Sequence, residues 1–224
     1  MAVALRLAPS ADPGLLDVQR RLAASDLMRM GGAVVASLAD EATVTALRDE
    51  AMALWDSAET VSVAEPRDED RRRGDPDRWL DWATGGPALR RFYRRRDVLD
   101  LLGRLTGIAW EPSGDQGMYS YYRRPGQYLG LHRDIDTCDL AIITCVHDVV
   151  PADPGTSGTL CLYPGRTAEP LSRVRATSER GRVFLRLPVG RSLILLGGMI
   201  PHTLLPVAPG HIRIVAPLCY MARG

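Results

Sequence analysis

The first half of the chain carries apolar residues at the spacing of amphipathic helices. Residues 14–29 and 40–57 place apolar side chains three and four positions apart, and Asp40 is a candidate N-cap for the second segment. A third helix is predicted over 87–105, and the β-rich run 33–38 predicts a short strand. Residues 1–112 are therefore predicted to form a mainly helical part.

The first half of the chain also contains two strongly polar segments. Residues 60–86 contain prolines, a glycine pair and the charged run Asp68–Arg73, so we predict a long loop that is either a lid or simply solvated. The third predicted helix carries five arginines, which are expected to form a solvated face: Arg90, Arg91, Arg94, Arg95 and Arg96.

From about residue 117 the pattern changes to short β-rich runs that are separated by glycine and proline turns. Short strands at regular spacing are typical of a β-sandwich or barrel. We therefore predict one domain over 1–224, in which the N-terminal helices pack on an antiparallel β core over 113–224. The predicted strands are 117–123, 128–133, 140–147, 159–163, 171–175, 183–187, 191–196, 203–207 and 212–220.

Composition excludes several classes of protein. Of 224 residues, 46% are hydrophobic and 25% are charged, as in a globular protein. No apolar run approaches the roughly 18 residues of a membrane span, and the N-terminus is not typical of a signal peptide, so we expect a cytoplasmic protein. The net charge of +1 gives no indication of nucleic-acid binding. All 28 basic residues are arginines, which excludes mechanisms that need a lysine.

The four cysteines give little indication of chemistry. Cys138, Cys145, Cys161 and Cys219 show no Cys-x-x-Cys spacing, so neither a cysteine zinc site nor a disulfide scaffold is indicated. We expect reduced, mostly buried thiols.

Three residues could form a metal site. His132 and Asp134 lie two positions apart in a predicted strand, so their side chains point to the same face. His202 lies at the start of a later predicted strand. Two histidines and one carboxylate are the facial ligand set of non-haem Fe(II) oxygenases. The alternative for His132 and Asp134 is a hydrogen-bonded pair or a surface turn.

An arginine and a tyrosine are candidates for binding an anionic ligand. Arg213 lies among apolar neighbours on the last predicted strand, where a charged side chain needs a partner. An arginine can hold a ligand carboxylate through two parallel hydrogen bonds. Tyr122 could donate a hydrogen bond to the same carboxylate, or it is an ordinary cross-strand aromatic residue.

The two remaining histidines are weaker candidates. His147 and Asp148 are adjacent, so on a strand they face opposite ways, and we interpret them as the end of a strand rather than as ligands. His211 follows a Pro-Gly pair and is predicted to lie in a turn. It is the substitute ligand if His202 does not bind.

The order of these residues resembles the Fe(II)/2-oxoglutarate-dependent dioxygenases, especially their prolyl-4-hydroxylase-like branch. The similarity covers about residues 117–221. The motif Y-x-x-x-G-Q-Y before H-x-D is matched by Tyr122, Gly126, Gln127 and Tyr128, then His132 and Asp134. The later motifs are matched by residues 158–164, Pro188, Gly190, Leu193, His202, Pro206, Val207, Gly210 and Arg213.

Several spacings depart from the prolyl hydroxylase pattern. The gap from Tyr128 to His132 is one residue longer, the turn Pro188–Gly190 is one residue shorter, and Tyr163 adds one residue before Pro164. The basic residue is arginine rather than lysine and sits one position later, which resembles the phytanoyl-CoA and taurine dioxygenases. These departures weigh against a peptidyl-proline substrate.

The resemblance implies an α+β, mainly β fold: a double-stranded β-helix (cupin-like jelly-roll) core with the N-terminal helices packed on it. It implies Fe(II) held by His132, Asp134 and His202, and O2 and 2-oxoglutarate as cosubstrates. The far carboxylate of 2-oxoglutarate would pair with Arg213, helped by Tyr122. The reaction implied is oxidation of an unactivated C–H bond with release of succinate and CO2. Hydroxylation is the expected outcome, and Asp134 disfavours halogenation because the family's halogenases lack this carboxylate.

We expect a small-molecule substrate, such as an amino acid or a natural-product intermediate, and neither a nucleic-acid nor a membrane partner. Candidate substrate contacts are Trp79, Trp82, Tyr119 and Tyr121. Two alternatives stay open: an oxygenase that acts on a peptide or nucleic acid, and a non-catalytic cupin-like protein that binds a metal or ligand. The sequence does not indicate an oligomeric state.

Overall fold

The computed structural model describes residues 13–67 and 75–223, so the charged run Asp68–Arg73 lies outside the described residues. Helices pack on a curled antiparallel sheet. The helices are α1 (Pro13–Ala23), α2 (Asp26–Arg29), α3 (Glu41–Ala53), α4 (Pro87–Tyr93), α5 (Arg96–Thr106) and α6 (Leu171–Ala176). The strands are β1 (Ala33–Ala36), β2 (Glu59–Val63), β3 (Arg78–Thr84), β4 (Trp110–Pro112), β5 (Met118–Tyr122), β6 (Tyr128–His132), β7 (Leu140–Val149), β8 (Leu160–Leu162), β9 (Val183–Leu185), β10 (Ser192–Leu195), β11 (His202–Leu204) and β12 (Ile212–Ala222).

The strands form one antiparallel sheet in the order β1-β10-β7-β12-β5-β3-β6-β11-β8-β9, with β2 beside β3 and β4 beside β12. Strand β3 joins the two halves of the sheet, because its C-terminal residues pair with β5 and its first residues pair with β6. The prediction of a mainly β core with helices packed on it is confirmed. No helix in the described parts of the chain is long and apolar enough to cross a membrane.

The predicted helices are present but interrupted. The segment 14–29 divides before Ser25, whose hydroxyl caps α2 by accepting from the Met28 N–H. The predicted N-cap Asp40 does cap α3, since its carboxylate accepts from the Thr43 N–H at 2.8 Å. The segment 87–105 divides into α4 and α5 before Arg96.

Two predictions of local structure are wrong. The predicted loop 60–86 contains most of β2 and all of β3. The backbone of β2 pairs with β3, and the backbone of β3 also pairs with β5 and β6. The predicted strand 171–175 is the helix α6. Leu171 and Val174 lie three positions apart, so a helical turn puts both on one face, where they pack on Leu131.

The prediction of four reduced thiols is also wrong. Cys138 and Cys219 form a disulfide with a Cα–Cα distance of 4.8 Å and a sequence separation of 81. The pairing of β12 with β7 sets Cys219 opposite Ala141, close to the loop that holds Cys138. Residues so far apart in sequence give no local spacing signal. Cys145 and Cys161 are free and buried, as expected.

Candidate active site

Two histidines face each other across neighbouring strands. His132 ends β6 and His202 begins β11, and the antiparallel register sets them directly opposite one another. Directly opposed residues put their side chains on the same face of a sheet. The two imidazole ring centroids are 4.1 Å apart.

A register shift brings His132 to this position. Between the pairs His202–His132 and Leu204–Leu129, β6 has one residue more than β11. Such a bulge lets residues at odd spacing share a face. Gly130 lies inside the shifted segment, and a Cβ atom there would come within 2.5 Å of the Asp77 backbone oxygen. The extra residue between Tyr128 and His132 therefore falls within a bulge.

Asp134 reaches the two histidines from the loop after β6. Its N–H donates to the Gly197 carbonyl at 2.9 Å, and its carboxylate packs against the Cα of Gly197. A Cβ atom at Gly197 would lie 1.7 Å from Asp134 Oδ2. Asp134 Oδ1 is 3.5 Å from His132 Nε2 and 3.6 Å from His202 Nε2.

The hydrogen bonds of the imidazoles leave one nitrogen of each ring for a metal. His132 Nδ1 lies 2.9 Å from the Gly130 carbonyl and His202 Nδ1 lies 2.9 Å from the Ile200 carbonyl. Only an N–H can donate to a carbonyl, so Nδ1 carries a proton in both rings, and Nε2 is the nitrogen that faces Asp134. Burial, with His132 nearby, lowers the pKa of His202 to about 4, which keeps that ring neutral at pH 7.

These three residues fit a divalent transition metal. Their donor atoms lie within 4.8 Å of one another, and they form the one such group in the described part of the chain. Two neutral imidazoles and one carboxylate are the donor set preferred by non-haem iron(II). The structure thus brings together all three predicted ligands.

Arg213 is a buried cation with unused donors. It lies in β12 opposite Tyr122 of β5 and Asp148 of β7, and its side chain is 0% exposed. Its Nη1 is 2.8 Å from Asp148 Oδ2, and its Nη2 donates to the Leu187 carbonyl at 3.2 Å. Nε and Nη1 nevertheless make no hydrogen bond of acceptable geometry with the described residues. A buried guanidinium with free donors fits a ligand carboxylate.

Tyr122 shares the face of Arg213, as the direct cross-strand pair requires. Burial raises the pKa of its hydroxyl, and the positive charge of Arg213 opposes this only in part. The hydroxyl therefore stays protonated at neutral pH and is able to donate a hydrogen bond.

Sequence reasoning missed the partners of Arg213. Asp148, interpreted as a strand end, pairs with Arg213 and also accepts from His211 Nε2 at 2.9 Å. His211 is 1% exposed, and its Nδ1 lies 2.6 Å from Ser157 Oγ. The only available signal was that a buried Arg213 needs a partner, because the register of β7 on β12 is not readable from the sequence.

The four predicted substrate contacts divide between two faces. The Tyr119 and Tyr121 hydroxyls donate to Glu50 and to the Ala51 carbonyl of α3, on the face opposite to Tyr122. Trp79 lies on the same face as Tyr119 and Tyr121, and the Arg124 guanidinium lies 5.3 Å from the centroid of its ring. Trp82 pairs with Ser120, and alternation therefore puts it on the face of Tyr122 and Arg213.

Comparison with known proteins gives matches among solved structures. No protein-family model and no curated protein sequence matches the chain. A prolyl-4-hydroxylase from Pseudomonas putida aligns over 94% of this chain and 100% of its own, at 18% identity and a TM-score of 0.58. The epimerase SnoN from nogalamycin biosynthesis aligns over 94% and 83%, at 17% identity and a TM-score of 0.65. The chain has the fold of the iron- and 2-oxoglutarate-dependent oxygenases.

A third match belongs to the same oxygenase fold. The carbocyclase SnoK, also from nogalamycin biosynthesis, aligns over 96% of this chain and 87% of its own, at 14% identity and a TM-score of 0.63. The predicted jelly-roll core is thereby confirmed. A structure of SnoN contains Fe3+ and alpha-ketoglutarate. At these identities the similarity establishes the oxygenase fold.

Proposed function

We propose that the protein is an Fe(II)- and 2-oxoglutarate-dependent oxygenase that oxidises an unactivated C–H bond of a small molecule and releases succinate and CO2. Hydroxylation is the proposed outcome. The observation that carries the proposal is the convergence of His132, Asp134 and His202, whose donor atoms lie within 4.8 Å of one another. The oxygenase fold is consistent with this chemistry.

The three converging residues would hold the iron. The Nδ1 hydrogen bonds to backbone carbonyls fix both rings with Nε2 available. The negative charge of Asp134 would offset part of the positive charge of the metal. Bound there, iron and 2-oxoglutarate supply the oxygen chemistry that protein side chains lack. The protein's part is to orient the groups and exclude water.

Arg213 and Tyr122 would hold the far carboxylate of 2-oxoglutarate. Arg213 offers a buried positive charge with unused N–H groups, and Tyr122 offers a neutral hydroxyl from the paired strand. A charge-assisted hydrogen bond in such a buried place is stronger than one at the surface. Their role is binding and orientation.

The small-molecule class rests on two observations. SnoN and SnoK are described as an epimerase and a carbocyclase of nogalamycin biosynthesis, so this fold serves small-molecule biosynthesis. On the same face as Tyr122 and Arg213, Trp82 offers an indole for an apolar substrate. We therefore assign Trp82 as a substrate contact.

The proposal is tested by adding Fe(II) and 2-oxoglutarate to the metal-free protein without oxygen. A visible metal-to-ligand charge-transfer band is expected. His132→Ala removes a ligand and should abolish the band. Arg213→Ala should weaken the affinity for 2-oxoglutarate about tenfold or more, because a charged hydrogen-bond partner is lost.

The matched control is His147→Ala. His147 is half-buried in β7 opposite Ile214, on the other face from Arg213, so this variant should keep the band and the affinity. A folded wild-type protein that shows no band contradicts the proposal and favours a metal- or ligand-binding protein without turnover. With the band established, substrates are screened by succinate release.

A further inference from the structure

Arg213 ends a buried chain of polar contacts that the proposed reaction does not require. Ser157 Oγ lies 2.6 Å from His211 Nδ1, and His211 Nε2 lies 2.9 Å from Asp148 Oδ1. The second Asp148 oxygen lies 2.8 Å from Arg213 Nη1. The chain therefore runs from the loop after β7, through the residue before β12, to the centre of the sheet.

Hydrogen-bond donors fix the direction of this chain. The Ser157 hydroxyl oxygen accepts from the Ala208 N–H at 2.6 Å. The Asp148 carboxylate can only accept, so His211 carries a proton on Nε2, and in that tautomer Nδ1 accepts from the Ser157 hydroxyl. The Nε2–H of His211 then donates to Asp148. The His211 ring also packs closely against the backbone of Gly158, since a Cβ atom there would lie 2.6 Å from His211 Cε1. This contact confines the imidazole on that side. The Asp148 carboxylate is fixed before any ligand arrives.

The arrangement sets two anions in competition for one cation. The Arg213 and Asp148 side chains are 0% and 7% exposed, so little solvent screens them. A ligand carboxylate on the free donors of Arg213 would share the guanidinium with Asp148. Like charges at such short range repel strongly in a poorly solvated site. Asp148 therefore lowers the affinity of Arg213 for any second carboxylate.

We propose that Asp148, held by His211 and Ser157, is a positioning residue that acts as a built-in counter-ion to Arg213 and weakens the binding of dicarboxylates there. The inference rests on the proposed function, in which Arg213 holds the far carboxylate of 2-oxoglutarate. Succinate, the product, keeps that same carboxylate. Asp148 thus limits both cosubstrate affinity and product retention, and favours succinate release.

The test compares wild-type protein with Asp148→Asn, which preserves shape and removes charge. Dissociation constants are measured without oxygen by calorimetry, in the presence of Mn(II), for 2-oxoglutarate, succinate and 2-oxobutyrate. Asp148→Asn should bind both dicarboxylates about tenfold tighter. It should bind 2-oxobutyrate, which has no far carboxylate, as the wild type does. Asp153→Asn, the same change at an exposed residue of the following turn, should alter none of the three.

A second variant keeps the test available if Asp148→Asn does not fold. His211→Phe removes the donor to Asp148 Oδ1, which leaves Arg213 as the main partner of that carboxylate. The two dicarboxylates should then bind several-fold more weakly, again with 2-oxobutyrate unchanged. A merely structural defect would weaken all three ligands together.

Each remaining outcome has a definite meaning. Folded Asp148→Asn protein that binds dicarboxylates no tighter than the wild type overturns the inference and leaves the proposed function intact. Equal shifts for 2-oxobutyrate and 2-oxoglutarate also overturn it. No binding of 2-oxoglutarate by either protein overturns the proposed function as well.

Discussion

At the scale of single residues, Gly197 restricts where the Asp134 carboxylate can lie in the candidate metal site. Its carbonyl accepts from the Asp134 N–H, and its Cα leaves no room for a side chain beside the carboxylate. Its φ angle is not in the left-handed region, so contact rather than backbone conformation requires glycine here. In the proposed metal site, Gly197 would therefore hold a ligand in place without touching the metal.

Gly197→Ala should weaken metal affinity. A Cβ atom 1.7 Å from Asp134 Oδ2 must displace that carboxylate. We expect a loss of about 10- to 100-fold in Fe(II) affinity, the range found when supports of metal ligands are removed. Anaerobic metal titration measures this, and circular dichroism checks the fold. Gly165→Ala is the control, because a Cβ atom there meets nothing within 4 Å. Equal affinities in the two variants would contradict the prediction.

The side chains of the site were predictable to different extents. His132, Asp134 and His202 were found because strand alternation and ordered motifs are visible in the sequence. Asp148 was interpreted as a strand end and His211 as a turn residue and substitute metal ligand, because their contacts with Arg213 and Ser157 depend on strand register. Register is set by packing of the whole sheet.

At the scale of elements, Glu50 of α3 holds the N-terminus of α4. Its carboxylate accepts from the N–H groups of Gly86, Ala88 and Leu89, at 3.1, 2.7 and 2.9 Å. These groups have no partner within their own helix, and the N-cap residue is a glycine without a side chain. The same carboxylate accepts from Tyr119, so one side chain connects α3, α4 and β5.

Glu50→Gln should destabilise the fold. An amide group would replace one acceptor oxygen with a donor facing other donors, at a cost of about 1–3 kcal/mol in the free energy of unfolding. Urea denaturation measures the change. The neighbouring Asp49, whose side chain is 67% exposed, provides the control Asp49→Asn, with an expected change within about 0.5 kcal/mol. A loss of equal size in both variants would show that the capping contacts are not responsible.

Most strands of the C-terminal half were predictable because β-rich runs there alternate with segments that contain glycine or proline. The segment 171–175 is the exception, since it forms the helix α6. The strands β2 and β3 were missed because they lie in a segment rich in charge, proline and glycine, where local composition favours a loop. The strand structure of β3 depends on pairing with β5 and β6, which are distant in sequence, and β2 in turn pairs with β3.

At the scale of the whole molecule, the disulfide joins the segment after Asp134 to the last strand. Cys138 lies after Asp134 in the segment between β6 and β7, and Cys219 lies in β12, which also carries Arg213. The bond thus covalently links the parts of the chain that carry the proposed metal and cosubstrate sites. Because it spans 81 residues of sequence, it restricts the unfolded chain strongly.

Cys138→Ala/Cys219→Ala should lower the free energy of unfolding by about 2–4 kcal/mol. A reducing agent should destabilise the wild type by a similar amount and leave the double variant unchanged. Alkylation of denatured, unreduced protein should label only Cys145 and Cys161, and reduction should expose all four cysteines. Four labelled cysteines without reduction would contradict the disulfide.

The bulge in β6 also affects whether a sequence pattern built on the G-Q-Y and H-x-D motifs matches this chain. A strand can gain one residue and still present the same side chain to the same face when the addition is absorbed as a bulge. A search pattern with a fixed number of residues between the G-Q-Y and H-x-D motifs therefore rejects this sequence, although His132 meets His202 directly across the ladder. A pattern that permits one additional residue at this point would retrieve chains that reach the same geometry with a longer strand.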